Sequence, residues 1–491
     1  MQHSLYLGTW LLFGLAIEGP RLYNFSMRLI SAASLPGTKH SRLYVAILMA
    51  TLFLLCGASV QGYSVLTHEA IIDTAWDAGI RPLLLKRFPD ATPDELRVAH
   101  GYAYGGCAIQ DLGYYPSGSK FFSDLVHYVR SGDFIVMLLK DSTNLNEYAF
   151  SIGAMAHYAA DNNGHRLAVN PSVAILYPNL KRKFGPTVTY GENPSAHLKT
   201  EFAFDVLQVA QGRYASDAYR DYIGFEVPHD LLARAFEDTY AIDVDKIFTD
   251  FDLTIGTYRH DVSRVIPQAT KIAWQIKKDD IQKDFPGITR TKFEYRLSKA
   301  EYTKQFHEKY KEPGAGAKLM AVIIRFIPKI GPLRALAFRV PTPETERLFA
   351  LSFRSSVQEY QDLLRQLRET GRAPLMNDDF DTGTVTTPGE YPLADKTYAE
   401  LLDKLSKNHF DNVSPELQAT LIKYYGDPNA FLTKKYDKKQ WNKTLQEVAE
   451  LKAYVPQDQR EQTAPAVRTG DRGDSASVTQ DDSSAPQAES Q

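Results

Sequence analysis

Three potential metal ligands recur at four-residue intervals between His157 and His165. The segment reads HYAADNNGH, so Asp161 lies four positions after His157 and four before His165. Because an α-helix has 3.6 residues per turn, all three side chains would project from one helix face within about two turns. Imidazole and carboxylate groups at this spacing are how helices present ligands to zinc. The segment therefore predicts a metal site on one helix.

A second pair with the same step follows downstream. His197 and Glu201 stand four positions apart in HLKTE. Either set alone is also compatible with a solvated helix face. Two such sets in a chain with only 12 histidines favour a metal site.

Further candidate ligands precede these two sets. His68 lies in THEA, Asp111 in the glycine-flanked segment GGCAIQDLGYYP, and His127 in SDLVHYV. Taken singly, each histidine is also typical of a satisfied structural residue, and Asp111 of a turn. Their order along the chain carries more information than any one of them.

Helices must position these groups, and the chain after Tyr63 reads as one helix after another. Thr67 is a candidate cap for a helix that stops near Gly79. Thr92-Pro93-Asp94-Glu95 has a capping residue, a first-turn proline and a glutamate three residues after the cap, and predicts a helix toward Gly105 and Gly106. Asn144, with Glu147 three residues later, starts the helix that carries His157 and Asp161. No sustained alternation predicts strands here, so the fold class is mostly α.

The set of residues resembles the zinc-dependent phospholipase C and single-strand nuclease superfamily, all-helical enzymes with a three-zinc cluster. Its pattern is an N-terminal aromatic residue with a nearby His, an Asp in a loop, another His, His-x-x-x-Asp, a further His, and a final His-x-x-x-Glu or His-x-x-x-Asp. The resemblance includes every ligand position, namely Tyr63, His68, Asp111, His127, His157, Asp161, His165, His197 and Glu201.

This resemblance implies how three zinc ions would be shared. One would be held by Asp111, His127, His157 and Asp161, a second by the free amine and carbonyl of Tyr63 with His68 and a bridging Asp161, and the third by His165, His197 and Glu201. The implied chemistry is attack on a phosphodiester by a metal-activated hydroxide, with Asp111 as the candidate catalytic residue that orients or deprotonates the nucleophile.

Two branches of the superfamily, and one non-enzymatic function, stay open. The closing Glu201 is similar to the phospholipase branch, whereas the short step from Tyr63 to His68 is similar to the nuclease branch. A phospholipase C-like hydrolase is the first choice and a single-strand nuclease the alternative. A secreted helical binding protein with a degenerate metal site is the remaining possibility.

Composition and the leader bear on class and location. The chain has 491 residues and a net charge of −3, which disfavours a stable nucleic-acid partner held by a basic surface. Its two cysteines disfavour a disulfide framework and predict a lone buried thiol at Cys107. An apolar run at 43–60 follows Lys39 and Arg42, which predicts a signal peptide cleaved near Gly62 and Tyr63 and a secreted or periplasmic protein. If the leader is retained, the same run would be a membrane anchor.

The predicted domains are a leader at 1–62, a catalytic domain at 63–260, a helical C-terminal region at 261–455 and a disordered tail at 456–491. Residues 318–340 form a basic apolar segment that would either contact an anionic membrane or pack on the catalytic domain. Thr342-Pro343-Glu344 and Ser414-Pro415-Glu416 predict helices that end near Gly371 and Gly426.

Overall fold

The prediction of a mostly α fold is confirmed. The structure is a computed structural model that describes residues 65–115, 118–210, 226–260, 338–427 and 438–456, with positions 279 and 282. Across the predicted ligands, the helices are α1 (Val65–Ala75), α2 (Arg81–Arg87), α3 (Pro93–Gly106), α4 (Lys120–Tyr128), α5 (Ser131–Asp141), α6 (Leu145–Gly164), α7 (Asn170–Leu176), α8 (Pro178–Phe184), α9 (Pro194–Ala210), α10 (His229–Tyr240) and α11 (Phe251–His260).

Shorter turns join some of these helices. Those at Ile109–Tyr114 and Val244–Lys246 are 3₁₀, and those at Trp76–Ile80 and His165–Val169 are π-helical. The last of these continues α6 directly, so His165 stays on the helical path begun at Leu145.

After position 338 the structure contains more helices and one small hairpin. The helices are α12 (Pro343–Thr370), α13 (Pro392–Lys407), α14 (Pro415–Tyr424) and α15 (Lys438–Ala453). Between α12 and α13, strands β1 (Asp378–Asp379) and β2 (Thr384–Val385) pair antiparallel, with Asp378 opposite Val385. These strands and their turn are called the C-terminal hairpin (residues 378–385) below. Sequence patterning had given no signal for it.

Helix α6 is the centre of the fold, with α3, α12 and α1 packed around it. The approach of α3 is very close because glycines replace side chains at the crossing. A Cβ built on Gly106 would lie 1.9 Å from the carbonyl oxygen of Phe150, and one on Gly153 would lie 2.1 Å from that of Ala103. Every residue of α6 from Glu147 to Gly164 is buried, so its ligands sit inside the protein.

Four of the predicted helix starts are confirmed. Thr92 accepts a hydrogen bond from the Glu95 N–H in a capping box, and Asn144 accepts one from the Glu147 N–H. Thr342 and Ser414 cap α12 and α14 in the same way.

The predicted cap at Thr67 is wrong. Helix α1 already includes Val65, and the Thr67 hydroxyl donates to Asp205 Oδ1 at 2.7 Å. Asp205 Oδ2 accepts from the Leu66 N–H at 3.1 Å. The first turn of α1 is therefore satisfied by a carboxylate from α9, which local sequence does not reveal.

One hydrophobic core includes residues from both sides of the predicted domain boundary near 260. It extends from Val65 and Ile71 through Phe150 to Leu364 and Leu451. The predicted division into domains at 63–260 and 261–455 stays a prediction. The structure does show Cys107 as a buried free thiol.

Several predictions fall outside the described residues: the leader, Tyr63, most of the segment 318–340, and the tail from 457 onward. Among the helices that the structure describes, none has both the length and the apolar character needed to cross a bilayer.

Candidate metal centre

The structure brings together all eight of the predicted ligands that it describes. Three groups have ligand atoms within 4.8 Å of one another: His68 with His157 and Asp161, Asp111 with His127 and His157, and His165 with His197 and Glu201. The ninth predicted ligand, Tyr63, precedes the described chain. Every side chain in the three groups is buried.

Asp161 is the shared centre of the cluster. Its Oδ2 lies 3.0 Å from His157 Nε2 and 3.6 Å from His127 Nε2. Its Oδ1 lies 3.5 Å from His68 Nε2 and 3.9 Å from His165 Nε2. The two oxygens of one carboxylate thus face four imidazoles, an arrangement that would let Asp161 bridge two metal ions.

Asp111 reaches the cluster on the 3₁₀ turn Ile109–Tyr114, and α4 brings His127. The Gln110 side chain donates to the Ala154 carbonyl at 3.1 Å and ties this turn to α6. The Ser123 hydroxyl donates to the Gln110 carbonyl at 2.5 Å and ties it to α4. Asp111 Oδ1 consequently lies 3.6 Å from His127 Nε2.

The second predicted pair lies on α9 and meets His165 there. His197 Nε2 is 2.8 Å from Glu201 Oε1, which is 3.2 Å from His165 Nε2. Asn193 begins this helix by accepting a hydrogen bond from the Ala196 N–H at 2.9 Å. The spacing of four residues therefore placed both side chains on the buried face, rather than on a solvated one.

Three of the histidines have their tautomer fixed by a backbone carbonyl. The Nδ1 atoms of His127, His157 and His165 lie 2.7, 2.9 and 3.1 Å from the carbonyl oxygens of Ser123, Cys107 and Phe380. A carbonyl oxygen only accepts, so Nδ1 carries the hydrogen in each case. The lone pair of the neutral ring is then on Nε2, the atom that faces the cluster, as in metal-binding histidines generally.

The donor set fits bound cations. Among the described residues, no well-aligned hydrogen bond reaches either carboxylate oxygen of Asp111, Asp161 or Glu201, or either ring nitrogen of His197; the short distances at these atoms are contacts between one candidate ligand and another. Buried polar atoms without such a partner cost about 1–3 kcal/mol each. Imidazole nitrogen and carboxylate oxygen are ligands of zinc, and three zinc-type groups without a cysteine suit open catalytic sites.

The electrostatics of the cluster agree with that fit. Burial lowers the pKa of His68, which favours the neutral imidazole that a ligand must present. Burial opposes charge on His157 and His165, but the Asp161 carboxylate raises the pKa of both. Burial would raise the pKa of Asp161, but His157 and His165 hold it well below its ordinary value. Burial raises the pKa of Asp111, and Asp161 and Glu201 add to that rise. A nearby cation would offset these repulsions between carboxylates.

Sequence reasoning missed one charged group at the centre, Asp381 of the C-terminal hairpin. It is 2% exposed and its Oδ1 lies 3.3 Å from His165 Nδ1. A small cavity of about 10 Å³ lies beside it and is lined by Asp111, Tyr114, His127, Tyr128, His165, Tyr190, His197, Glu201 and Asp381. The only local signal was the run DDFDTG, which predicts a turn and gives no hint of the cluster.

Comparison with known families decides the identity of this region. The model of the zinc-dependent phospholipase C family matches residues 67–249. The chain carries a zinc-dependent phospholipase C domain. All eight described ligands of the phospholipase C domain lie inside the matched range, whereas Asp381 lies outside it. No curated protein and no solved structure matches the chain.

The family establishes the general chemistry. The domain is that of a zinc-dependent hydrolase, and its buried histidines and carboxylates suit Zn²⁺. The all-α architecture expected of a phospholipase C domain is the one observed.

Proposed function

We propose that the protein hydrolyses a phosphodiester bond of a phospholipid at a three-zinc cluster. The observation that carries this proposal is that Asp161 belongs to one of three ligand groups and lies 3.6 and 3.9 Å from a histidine of each of the other two, inside a domain of the phospholipase C family. Asp111, His127, His157 and Asp161 would hold one ion. His68, Asp161 and the predicted Tyr63 terminus would hold the second, and His165, His197 and Glu201 the third.

Zinc bound by these residues supplies Lewis acidity that lowers the pKa of a water toward about 7 and polarises the phosphate oxygens. The protein's own groups prepare the rest. Asp161 directs one oxygen toward His68 and the other toward His127 and His157, so a single carboxylate serves two positions. This geometry keeps the attacked phosphorus and its oxygens near fixed charges.

Asp111 is proposed as the group that orients or deprotonates the attacking water. It lines the cavity, and neither of its carboxylate oxygens accepts a hydrogen bond from another described residue.

The size of the cavity limits which part of the substrate can enter it. Its volume of about 10 Å³ is far below the ~300–1,000 Å³ of pockets that enclose whole drug-sized ligands, so the acyl chains of a phospholipid would lie outside it. Lys120 Nζ lies 5.6 Å from the ring centre of Tyr114 and 5.8 Å from that of Tyr190, both of which line the cavity. Because Lys120 is ion-paired with Asp124, the positive potential that it adds near the cavity is partly offset.

A direct assay tests the proposal and separates it from the alternatives. Purified protein would be analysed for zinc by elemental analysis and assayed on choline-headgroup phospholipid vesicles and on single-stranded DNA. We expect two to three zincs per chain, by analogy with the superfamily, and hydrolysis of the lipid that a chelator abolishes and added zinc restores. Cleavage of DNA alone would identify the nuclease alternative. Absence of both zinc and hydrolysis would leave the binding-protein alternative.

We also propose that the protein is secreted or periplasmic after cleavage near Gly62 and Tyr63. The support is the leader composition and the position of α1, which begins within two residues of Tyr63 and carries His68 into the cluster. N-terminal sequencing of protein recovered outside the cytoplasm should give Tyr63 as the first residue. An intact leader on membrane-bound protein would contradict secretion and leave the anchored alternative.

A further inference from the structure

The C-terminal hairpin packs directly on the helices that carry the ligands. A Cβ built on Gly383 would lie 2.2 Å from the Asn162 carbonyl oxygen, so only a glycine permits this approach to α6. Asp378 Oδ2 accepts hydrogen bonds from the Tyr158 hydroxyl at 2.5 Å and from the Asn162 amide at 3.1 Å. The hairpin is thus anchored one turn before His165.

The turn of the hairpin then contacts α4, which carries His127, and the first residue of α7, which follows the π-helical turn of His165. The Phe380 N–H donates to the His127 carbonyl at 3.2 Å. The Asn170 amide donates to the Asp381 carbonyl at 2.7 Å. Inside the turn, Asp379 Oδ1 accepts from the Asp381 N–H at 2.9 Å, which holds the backbone of Asp381 in place.

His165 differs from the other two histidines with fixed tautomers in where its support comes from. The carbonyls behind His127 and His157 belong to Ser123 and Cys107, within the matched family range. The carbonyl behind His165 belongs to Phe380, 215 positions away, and Asp381 Oδ1 stands beside it at 3.3 Å from the same Nδ1.

Asp381 is itself held in place. Its Oδ2 accepts a hydrogen bond from the Tyr128 hydroxyl at 3.1 Å and another from the Tyr391 hydroxyl. With one oxygen fixed by two phenols, the other oxygen is directed at the His165 ring. A carboxylate behind a ligating imidazole orients the ring and makes its other nitrogen a better donor to the metal.

We propose that the C-terminal hairpin completes the third metal site, with Asp381 as the positioning residue for His165. This inference rests on the proposed zinc cluster. It means that residues beyond the family domain are a working part of the metal centre, and that truncation before residue 378 would leave His165 without its supporting carbonyl and carboxylate.

The test compares Asp381→Asn with Asp378→Asn. Both variants remove one carboxylate charge from the same hairpin, but only Asp381 contacts His165. Zinc content would be measured by elemental analysis, affinity by chelator competition, and the environment of the third site by the visible spectrum of the cobalt-substituted protein. We expect Asp381→Asn to weaken binding of one ion by about 10–100-fold and to change the cobalt spectrum. Asp378→Asn should lower the Tm while zinc affinity stays closer to that of the native protein.

Each outcome has a defined meaning. Native zinc affinity in Asp381→Asn overturns the inference while leaving the zinc cluster intact. An equal loss of affinity in both variants assigns the effect to docking of the hairpin and overturns the role of Asp381. A native protein that binds no zinc contradicts the proposed function itself.

If Asp381→Asn does not fold, Tyr128→Phe replaces it. That change removes one hydrogen bond to Asp381 Oδ2 and keeps the ring. Weaker binding of one zinc at an unchanged Tm supports the positioning role, and unchanged affinity in a Tyr128→Phe/Tyr391→Phe double variant, which removes both hydrogen bonds to Oδ2, overturns it.

Discussion

The second half of α6 and the C-terminal hairpin both surround the metal centre, but they contribute in different ways. Helix α6 presents His157 and Asp161 from a single regular element, and His165 follows in the adjoining π-helical turn. The hairpin supplies a carbonyl and a carboxylate that contact His165 from behind. Ligands can be recognised from local spacing, whereas their supports come from wherever the chain returns to the site.

The largest effect is expected from Asp161→Asn. This carboxylate faces four imidazoles, so its loss would affect every proposed zinc position. We expect zinc content to fall and activity to drop by more than the ~10–100-fold typical of a supporting residue. Asp94→Asn is the control, because Asp94 is an exposed carboxylate in the first turn of α3 that pairs with Arg97. Full zinc content in Asp161→Asn would show that this carboxylate is not a shared ligand.

Gly383→Ala should have the second-largest effect, and it tests whether the C-terminal hairpin contributes to zinc binding as α6 does. Gly383 has φ +64°, and its new Cβ would clash with the Asn162 carbonyl at 2.2 Å. We expect the free energy of unfolding to fall by about 3 kcal/mol and zinc binding to weaken. Urea denaturation and chelator competition measure the two quantities.

Gly371→Ala is the matched control for that substitution. Gly371 also has a positive φ, +72°, but a Cβ there meets nothing within 4 Å. It should lower stability by about 1 kcal/mol and leave zinc affinity unchanged. If both glycine variants behaved alike, the close contact between the hairpin and α6 would have no role in metal binding.

Asp205→Ala should have an intermediate effect, because Asp205 supports α1 and not α6. Its carboxylate accepts hydrogen bonds from the Leu66 N–H and the Thr67 hydroxyl, next to His68. Leaving these buried donors without an acceptor should lower the free energy of unfolding by about 2 kcal/mol. We expect weaker zinc binding at His68, measured by chelator competition, with the cobalt spectrum of the third site unchanged. A change in the cobalt spectrum of the third site would instead indicate that the fold as a whole has been destabilised.

The smallest effect is expected from Thr92→Ala, which removes the N-cap of α3, at the end of that helix that is remote from the cluster. It should lower stability by about 1 kcal/mol without changing zinc content. Backbone and side-chain hydrogen bonds from Thr92 lower the pKa of Glu95. The stabilisation from this ionised glutamate is present above its ordinary pKa of about 4.3 and is lost as the pH falls through the lowered value. The stability difference between native and variant protein should therefore shrink in acid, as urea denaturation at several pH values would measure.

Particular residues show how far sequence reasoning reached. Thr92 and Asn144 marked their helices because a capping side chain bonds to a backbone group three residues away. Thr67 was misread as a cap because the true acceptor, Asp205, lies on another helix. The assignment of ligands to individual zinc ions, and the role of Tyr63, stay predictions.

The sequence by itself determined the mostly α fold and the set of side chains that converge on Asp161. Helical periodicity predicted which candidate ligands share a face at 157–165 and 197–201, and the resemblance to the phospholipase C and nuclease superfamily implied that His68, Asp111 and His127 join them. Only the tertiary structure decided that Phe380 and Asp381 stand behind His165 and that Asp205 holds the start of α1. These contacts join elements far apart in the chain, and their geometry depends on the packing of the whole core, which no local pattern encodes.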